Sequence, residues 1–265
     1  MTIAAADAGP AAADTAVLAI KNLRKNFGGV LAVDGVSFTA RRGEVTGLIG
    51  PNGAGKSTAL GMIAGSVRPT AGQVLLNGVD IAGLPSYQVA RRGVGRTFQL
   101  SSEFPHMTVL ENMLTAVQGG RGDTLRSALL GKRYWRQAED ANVRLAAELM
   151  DRFSMTAMAN ELAGTLSGGQ RRLLEIMRAL MARPRLLLLD EPMAGVNPAL
   201  SQRIQEYLLE LRSEGLQMLM VEHEMSVVER LCDHVIVMAQ GRVLADGTLT
   251  EIRSDRRVLD AYLAG

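Results

Sequence analysis

The sequence has a single cysteine, Cys232, in 265 residues. That excludes an intrachain disulfide and any zinc cluster built on several thiolates. Placed after the apolar stretch Val227-Val228-Glu229-Arg230-Leu231, the residue is expected to fill a small core position in a helical context. Long hydrophobic runs are missing as well. None approaches the roughly 18 residues that suggest a membrane span, so the chain is not expected to cross a bilayer alone. Neither sign of charge is in excess: 29 Lys+Arg against 27 Asp+Glu leaves +2, which gives no ground for a nucleic-acid partner. Residues 1–16 are rich in Ala but lack a basic start and include Asp7, Gly9, Pro10 and Asp14. They fail as a secretory signal and are expected to form a flexible tail.

What is present is enough apolar sequence, 47% of residues, for a large core in one large domain or two small ones. The chain is organised around Gly50 to Thr58, G-P-N-G-A-G-K-S-T, which fits the phosphate-loop pattern G-x-x-x-x-G-K-[ST]. The apolar run 45–49 before it reads as a buried strand and residues 57–64 after it as a helix, the context that this motif requires. Gly50, Gly53 and Gly55 let the backbone aim successive N–H groups at phosphate oxygens, with Pro51, Asn52, Ala54 and Thr58 completing the cradle. Lys56 supplies a mobile charge for the β and γ phosphates, and the Ser57 hydroxyl is a ligand for Mg²⁺.

Upstream, residues 17–40 alternate as strands, interrupted at K-N-F-G-G-V, where Phe27 either stacks on a nucleotide base or plugs the core. Asn77-Gly78 marks a hairpin within 73–81; a helix over 86–92 and a strand over 94–98 follow, ending in Gln99, which can reach a metal or an attacking water. Residues 100–165 then turn helical in pattern, over 108–117 and 136–153, and read as an inserted helical subdomain. Its middle, 121–136, carries Arg121, Arg126, Lys132, Arg133 and Arg136 against Asp123, and is either a solvated face or a surface for acidic groups.

Leu166 to Gln170, L-S-G-G-Q, opens an amphipathic helix. It is a second glycine-rich helix start, with Ser167, Gly168, Gly169 and Gln170 able to face an anion, though Ser167 is also a plain N-cap candidate. The run Leu186 to Leu189 ending in Asp190-Glu191 reads as a buried parallel strand delivering carboxylates at its C-terminal edge. Strand alternation would send the two to opposite sides, with Asp190 serving Mg²⁺ and Glu191 polarising water. Strand 217–221 ends at Glu222-His223, where His223 can donate to a γ phosphate; His106 and His234 receive no role. A hairpin around Gln240-Gly241 and a capping box from Thr248 to Glu251 close the chain.

These motifs, in this order, resemble the nucleotide-binding subunit of ABC transporters from residue 17 onward. The resemblance implies an α/β fold: a phosphate-loop (RecA-like) ATPase core with an antiparallel β subdomain and an inserted helical subdomain. It makes Phe27 the base-stacking position, Gln99 the Q-loop, Leu166 to Gln170 the signature, Asp190 the Walker B aspartate, Glu191 the catalytic carboxylate and His223 the switch histidine. The implied activity is ATP hydrolysis with Mg²⁺, coupled to transport, in a subunit peripheral to the cytoplasmic face of the membrane. Its implied partners are a second ATP-binding subunit, identical or different, whose signature closes over ATP in this chain's phosphate loop, two membrane permease subunits and, indirectly, a solute-binding protein. The runs G-V-G-R-T-F-Q, M-T-V-L-E-N-M and D-E-P-M-A-G-V-N-P look like those of branched-chain amino acid importers. Gly168 departs from the tyrosine of many such importers, and S-G-G-Q-R-R-L-L-E-I is similar to cassettes of lipid or lipopolysaccharide exporters. Soluble ABC ATPases acting on ribosomes or DNA are the alternative of another class; they usually carry two cassettes or a coiled-coil insertion, whereas this chain has one set of motifs.

Overall fold

Val45–Ile49, Leu186–Asp190 and Gln217–Val221 are buried at every residue, the pattern of central parallel strands covered on both faces. In the computed structural model, which describes residues 16–97, 103–117 and 132–263, they are β3, β7 and β8 of a six-stranded sheet. Its order is β10-β9-β3-β8-β7-β6, with β6 at Val94–Arg96, β9 at His234–Ala239 and β10 at Arg242–Gly247. Every pairing is parallel except β9 with β10, whose hairpin turns through Gln240 (φ 49°) and Gly241 (φ 77°). Two successive left-handed residues match the twist of the flanking strands. The strand expected over 94–98 ends at Arg96, and Phe98 and Gln99 lie outside the described residues, as do residues 1–15 of the expected tail and 121–131 of the basic segment.

A second, antiparallel sheet has the order β2-β1-β4-β5, from Ala16–Phe27 (β1), Val30–Arg41 (β2), Ala71–Leu76 (β4) and Val79–Asp80 (β5). Asn77 (φ 48°) and Gly78 (φ 80°) make its expected tight turn. Leu18, Leu23, Val33 and Val36 of this sheet share one core with Leu48, Leu186, Leu188, Leu219 and Met238 of the larger one, and with Leu60 and Ile63 of helix α1, Lys56–Ile63.

The described chain divides into two compact units. The first contains both sheets, α1, α2 (Ser86–Arg91), α7 (Met225–Leu231), α8 (Leu249–Ser254) and α9 (Arg256–Leu263). Cys232 sits just past α7 rather than within it, where the helix has already turned to extended backbone. Its Sγ lies 2.8 Å from where a Cβ on Gly47 would stand, and burial pushes its thiol up to about 12.

The second unit takes Thr97–Pro184 and Met193–Ile204. It contains α3 (Val109–Thr115), α4 (Lys132–Arg152), α5 (Gly168–Met181) and the first turns of α6 (Pro198–Ser213), whose later residues belong to the first unit. Thr108 and Glu111 form a capping box on α3. Asn112, 0% exposed, organises the loop before it: its Oδ1 accepts the Phe104 N–H, and its Nδ2 donates to the carbonyls of Phe104, Met107 and Thr108 at 3.0–3.2 Å. The three carbonyls also accept the N–H groups of Met107, Ala163 and Asn112, so replacing the side chain removes their second bond and leaves the Phe104 N–H without its acceptor. Asn112→Ala should therefore cost about 2–3 kcal/mol of stability, read as a lowered urea midpoint; a midpoint equal to wild type would mean that water takes over these bonds without loss.

Candidate nucleotide site

Leu48 of β3, Val221 of β8 and Asp190 of β7 are partners in one row across the sheet. The residues that follow each of them, Ile49-Gly50, Glu222-His223 and Glu191, therefore leave the sheet at the same edge. Ligands of open α/β sheets bind outside this C-terminal edge.

The loop from Gly50 to Gly55 lies flush against its surroundings. A Cβ on Gly50 (φ 141°) would stand 1.9 Å from the Met238 carbonyl oxygen, and one on Gly55 (φ 94°) 2.4 Å from that of Ala32. Gly53 (φ 78°) has open space, so its glycine serves conformation alone. The β9–β10 turn clamps the loop from above the sheet edge: Gly241 N–H donates to the Ala54 carbonyl at 3.1 Å, while the Gly241 carbonyl accepts the Asp34 N–H at 2.8 Å. Arg242 then pairs with the Asp34 carboxylate at 2.6 Å. Gly55 caps α1 in a left-handed conformation and offers no side-chain acceptor, which leaves the first N–H groups of the helix for an anion.

Lys56 is buried, and its Nζ donates to the carbonyls of Gly50 at 2.7 Å and Pro51 at 2.9 Å. Burial lowers the pKa of its ammonium, opposed by the nearby charges of Glu191 and Asp190. Ser57 is exposed and Thr58 half-buried. Asp190 is buried and accepts from Arg96 at 3.1 Å, and Arg96 also donates to Ser66 at 2.8 Å.

Glu191 does not continue the strand. It adopts φ 47°, and its N–H donates to the Val221 carbonyl at 2.9 Å. The strand alternation expected from the sequence therefore does not extend to Glu191, which lies past the end of β7 in a left-handed conformation. A non-glycine residue held in this region costs on the order of 1–3 kcal/mol and clusters at functional sites. His223 is exposed, with Nδ1 3.9 Å from Glu191 Oε1. Its own N–H donates to the buried Glu222 carboxylate, which sequence reasoning passed over although an acid directly after a wholly buried strand was a visible signal.

Phe27, at the tip of the β1–β2 hairpin, is 50% exposed with the Lys25 ammonium 4.7 Å from its ring centre. It is no core plug. His234, given no role from the sequence, pairs with Asp246 across the β9–β10 ladder.

In the second unit Ser167 and Gln170 form a capping box on α5: Ser167 Oγ accepts the Gln170 N–H at 3.3 Å and Gln170 Oε1 accepts the Ser167 N–H at 2.9 Å. A Cβ on Gly169 would meet the tip of the Leu200 side chain at 2.3 Å, so that leucine would have to shift, whereas one on Gly168 would find only the Gly195 carbonyl at 4.0 Å. Farther along α5, Arg172 pairs with Glu175 at 2.7 Å. Burial raises the Glu175 pKa, with Arg172 opposing. Arg178 covers the ring of Phe104 at 5.4 Å, leaving Phe104 47% exposed.

Residues 33–194 match the family described as ABC transporter. The chain belongs to the ABC transporter family. Residues 242–263 match a second family, described as branched-chain amino acid ATP-binding cassette transporter. Among curated relatives, the high-affinity branched-chain amino acid transport ATP-binding protein BraF of Pseudomonas aeruginosa is 41% identical over 93% of this chain and 97% of its own length. LivG of Escherichia coli K12, of the same description, is 40% identical over the same shares. Among solved structures, a nucleotide-free ATP-binding cassette from an ABC transporter superposes with TM-score 0.80 at 34% identity, covering 94% of this chain and 99% of that one. An ATP-binding cassette in its ADP conformation gives TM-score 0.80 at 34% identity, covering 95% and 100%. The fold is that of an ABC ATPase: a phosphate-loop core, an antiparallel sheet and helices.

The close approach at Gly50 separates two kinds of glycine in this loop. Gly50→Ala should destabilise the protein by about 3 kcal/mol or more, since a backbone carbonyl occupies the space, while Gly53→Ala should cost about 1–2 kcal/mol for its left-handed conformation alone. Chemical denaturation of the two variants side by side checks the order; equal losses would mean that β9 gives way to the added methyl.

Proposed function

We propose that this chain is the ATP-hydrolysing subunit of an importer of branched-chain amino acids. The observation that carries the chemistry is the row Leu48–Val221–Asp190, which delivers the phosphate loop, Glu191 and His223 to one edge of one sheet. The solute class is supported by the descriptions of the relatives, which favour uptake over lipid export or work on ribosomes.

In this reading the loop N–H groups and Lys56 hold the β and γ phosphates, the ammonium exchanging two backbone carbonyls for phosphate oxygens. Phe27, exposed at its hairpin tip, stacks on the base. Magnesium keeps most of its water and needs only one or two protein oxygens beside the phosphates. The exposed Ser57 hydroxyl and the Asp190 carboxylate fit that need, with Gln99 joining them. Bound there, the ion would neutralise charge on the phosphates. Glu191 takes the proton of the attacking water, and His223, 3.9 Å from it, donates to the γ phosphate.

Ser167, Gly168, Gly169 and Gln170 serve the ATP of a second ATP-binding subunit, identical or different. The partners also include two membrane permease subunits and, through them, a solute-binding protein, which places the chain on the cytoplasmic face of the membrane. Among the described residues no helix is long and apolar enough to cross a bilayer. Phe104, fixed by Asn112 and half-exposed, is an anchor for a permease loop.

Glu191→Gln should lower ATP turnover by roughly 10² or more with little change in ATP affinity; turnover close to wild type would remove Glu191 from the role of base. In the same variant ATP, but not ADP, should shift sedimentation from monomer toward dimer, because each signature needs the other chain's γ phosphate. A mass indifferent to ATP would count against the shared site.

A further inference from the structure

The tip of the β1–β2 hairpin exposes apolar side chains as a group: Phe27, Val30 opposite it in the ladder, and Leu31. Clustered apolar exposure marks binding surfaces, whereas single exposed residues need no explanation. The Lys25 ammonium sits over the Phe27 ring, 4.7 Å from its centre, within the roughly 6 Å over which a cation is attracted to an aromatic face. It is held there. Its Nζ donates to the Arg68 carbonyl at 2.8 Å, so the long flexible stem is tied at its far end. The same loop, 68–70, grips the strand on either side of the lysine: the Thr70 N–H donates to the Arg24 carbonyl at 2.8 Å, and Thr70 Oγ1 accepts the Asn26 N–H at 3.1 Å. At the tip Asn26 Oδ1 accepts the Gly29 N–H at 3.0 Å. Backbone and cation are thus fixed around the ring, and one face of the ring is taken.

We propose that Lys25 is a positioning residue for the nucleotide base: it occupies one face of Phe27 and holds the ring in the plane on whose other face the base stacks. A phenyl ring at a hairpin tip turns about two side-chain bonds, and stacking on it must first stop that motion. A tethered cation on one face stops it in advance. By drawing ring electron density toward itself, the cation also lessens the repulsion between the ring's other face and the π cloud of a base. The ammonium thus acts through the ring and not on the phosphates. The inference rests on the reading that Phe27 stacks on the base of ATP.

The test compares ATP with inorganic tripolyphosphate, which has the phosphates and no base, in calorimetric titrations of the full-length protein. Lys25→Gln removes the charge and should raise the dissociation constant for ATP about 2- to 5-fold, the worth of an exposed cation–π contact, while leaving that for tripolyphosphate at the wild-type value. Lys25→Arg keeps a cation that stacks on aromatic faces and should stay within about twofold of wild type for ATP. Phe27→Ala should weaken ATP binding, and adding Lys25→Gln to it should have no further effect, because the lysine acts only through the ring. Lys25→Met, which keeps the stem, takes the place of the glutamine variant if that does not fold, and the double variant decides where tripolyphosphate binds too weakly to measure. ATP affinity equal to wild type in Lys25→Gln overturns the proposal. So does an equal loss for ATP and tripolyphosphate, which would make Lys25 a charge acting directly on phosphate, or a loss for ATP that persists undiminished in the Phe27→Ala background. If Phe27→Ala itself binds ATP as wild type does, the base-stacking reading falls and the inference with it; a weakened Phe27→Ala beside an unchanged Lys25→Gln removes the inference alone.

Discussion

The approach of the Gly50 backbone to the Met238 carbonyl is the constraint on which the site depends. With no room for a Cβ, the chain leaves β3 pressed on β9, and the β9–β10 turn can then reach over it to bond Ala54. That turn holds β2 by its other face, through the Asp34 N–H and the Arg242–Asp34 pair. Gly241 is itself glycine-only at this place: it is at φ 77°, and a Cβ there would stand 2.9 Å from the Ala32 carbonyl. Three backbone segments, remote in sequence, thus meet with no side chain between them. Steric exclusion sets the loop's position here, and hydrogen bonds fix its register.

Electrostatics then works on a fixed frame. Burial lowers the pKa of the Lys56 ammonium, and the nearby charges of Glu191 and Asp190 oppose that shift. Asp190 in turn is held by Arg96 from the neighbouring strand β6, which fixes the carboxylate at the sheet edge. Glu191 is placed by a strained backbone that its N–H bond to Val221 helps to maintain. Such strain survives only where the surroundings over-determine it.

The phosphate loop, the buried strands and the three hairpin or capping signals were legible because each is written within a few residues: glycines at set spacing, unbroken apolar runs, Asn-Gly and Gln-Gly turns. The role of Asn112 and the bonds that Gly241 makes outside its own hairpin were not. Their partners are a loop that no periodicity marks or segments up to some two hundred positions away, and nothing local in the sequence announces such a pairing. Phe27 and Phe104 were ambiguous for a different reason. Hydrophobicity alone does not distinguish a plug from an anchor, and only exposure decides it. The carboxylate pair shows a third case: strand alternation was expected to run through Glu191, but a left-handed glutamate is a rare state that sequence pattern reads as strand.

The two signature glycines carry different burdens. A side chain at Gly169 would have to displace the tip of Leu200, inside its own unit. One at Gly168 would not: its neighbourhood accommodates a Cβ, and the capping box of Ser167 and Gln170 closes over it without needing a glycine. The unit's own packing therefore leaves space beside Gly168. On the proposed reading that space is turned to the second subunit's nucleotide, where a bare backbone lets the N-terminus of α5 come closest to phosphate.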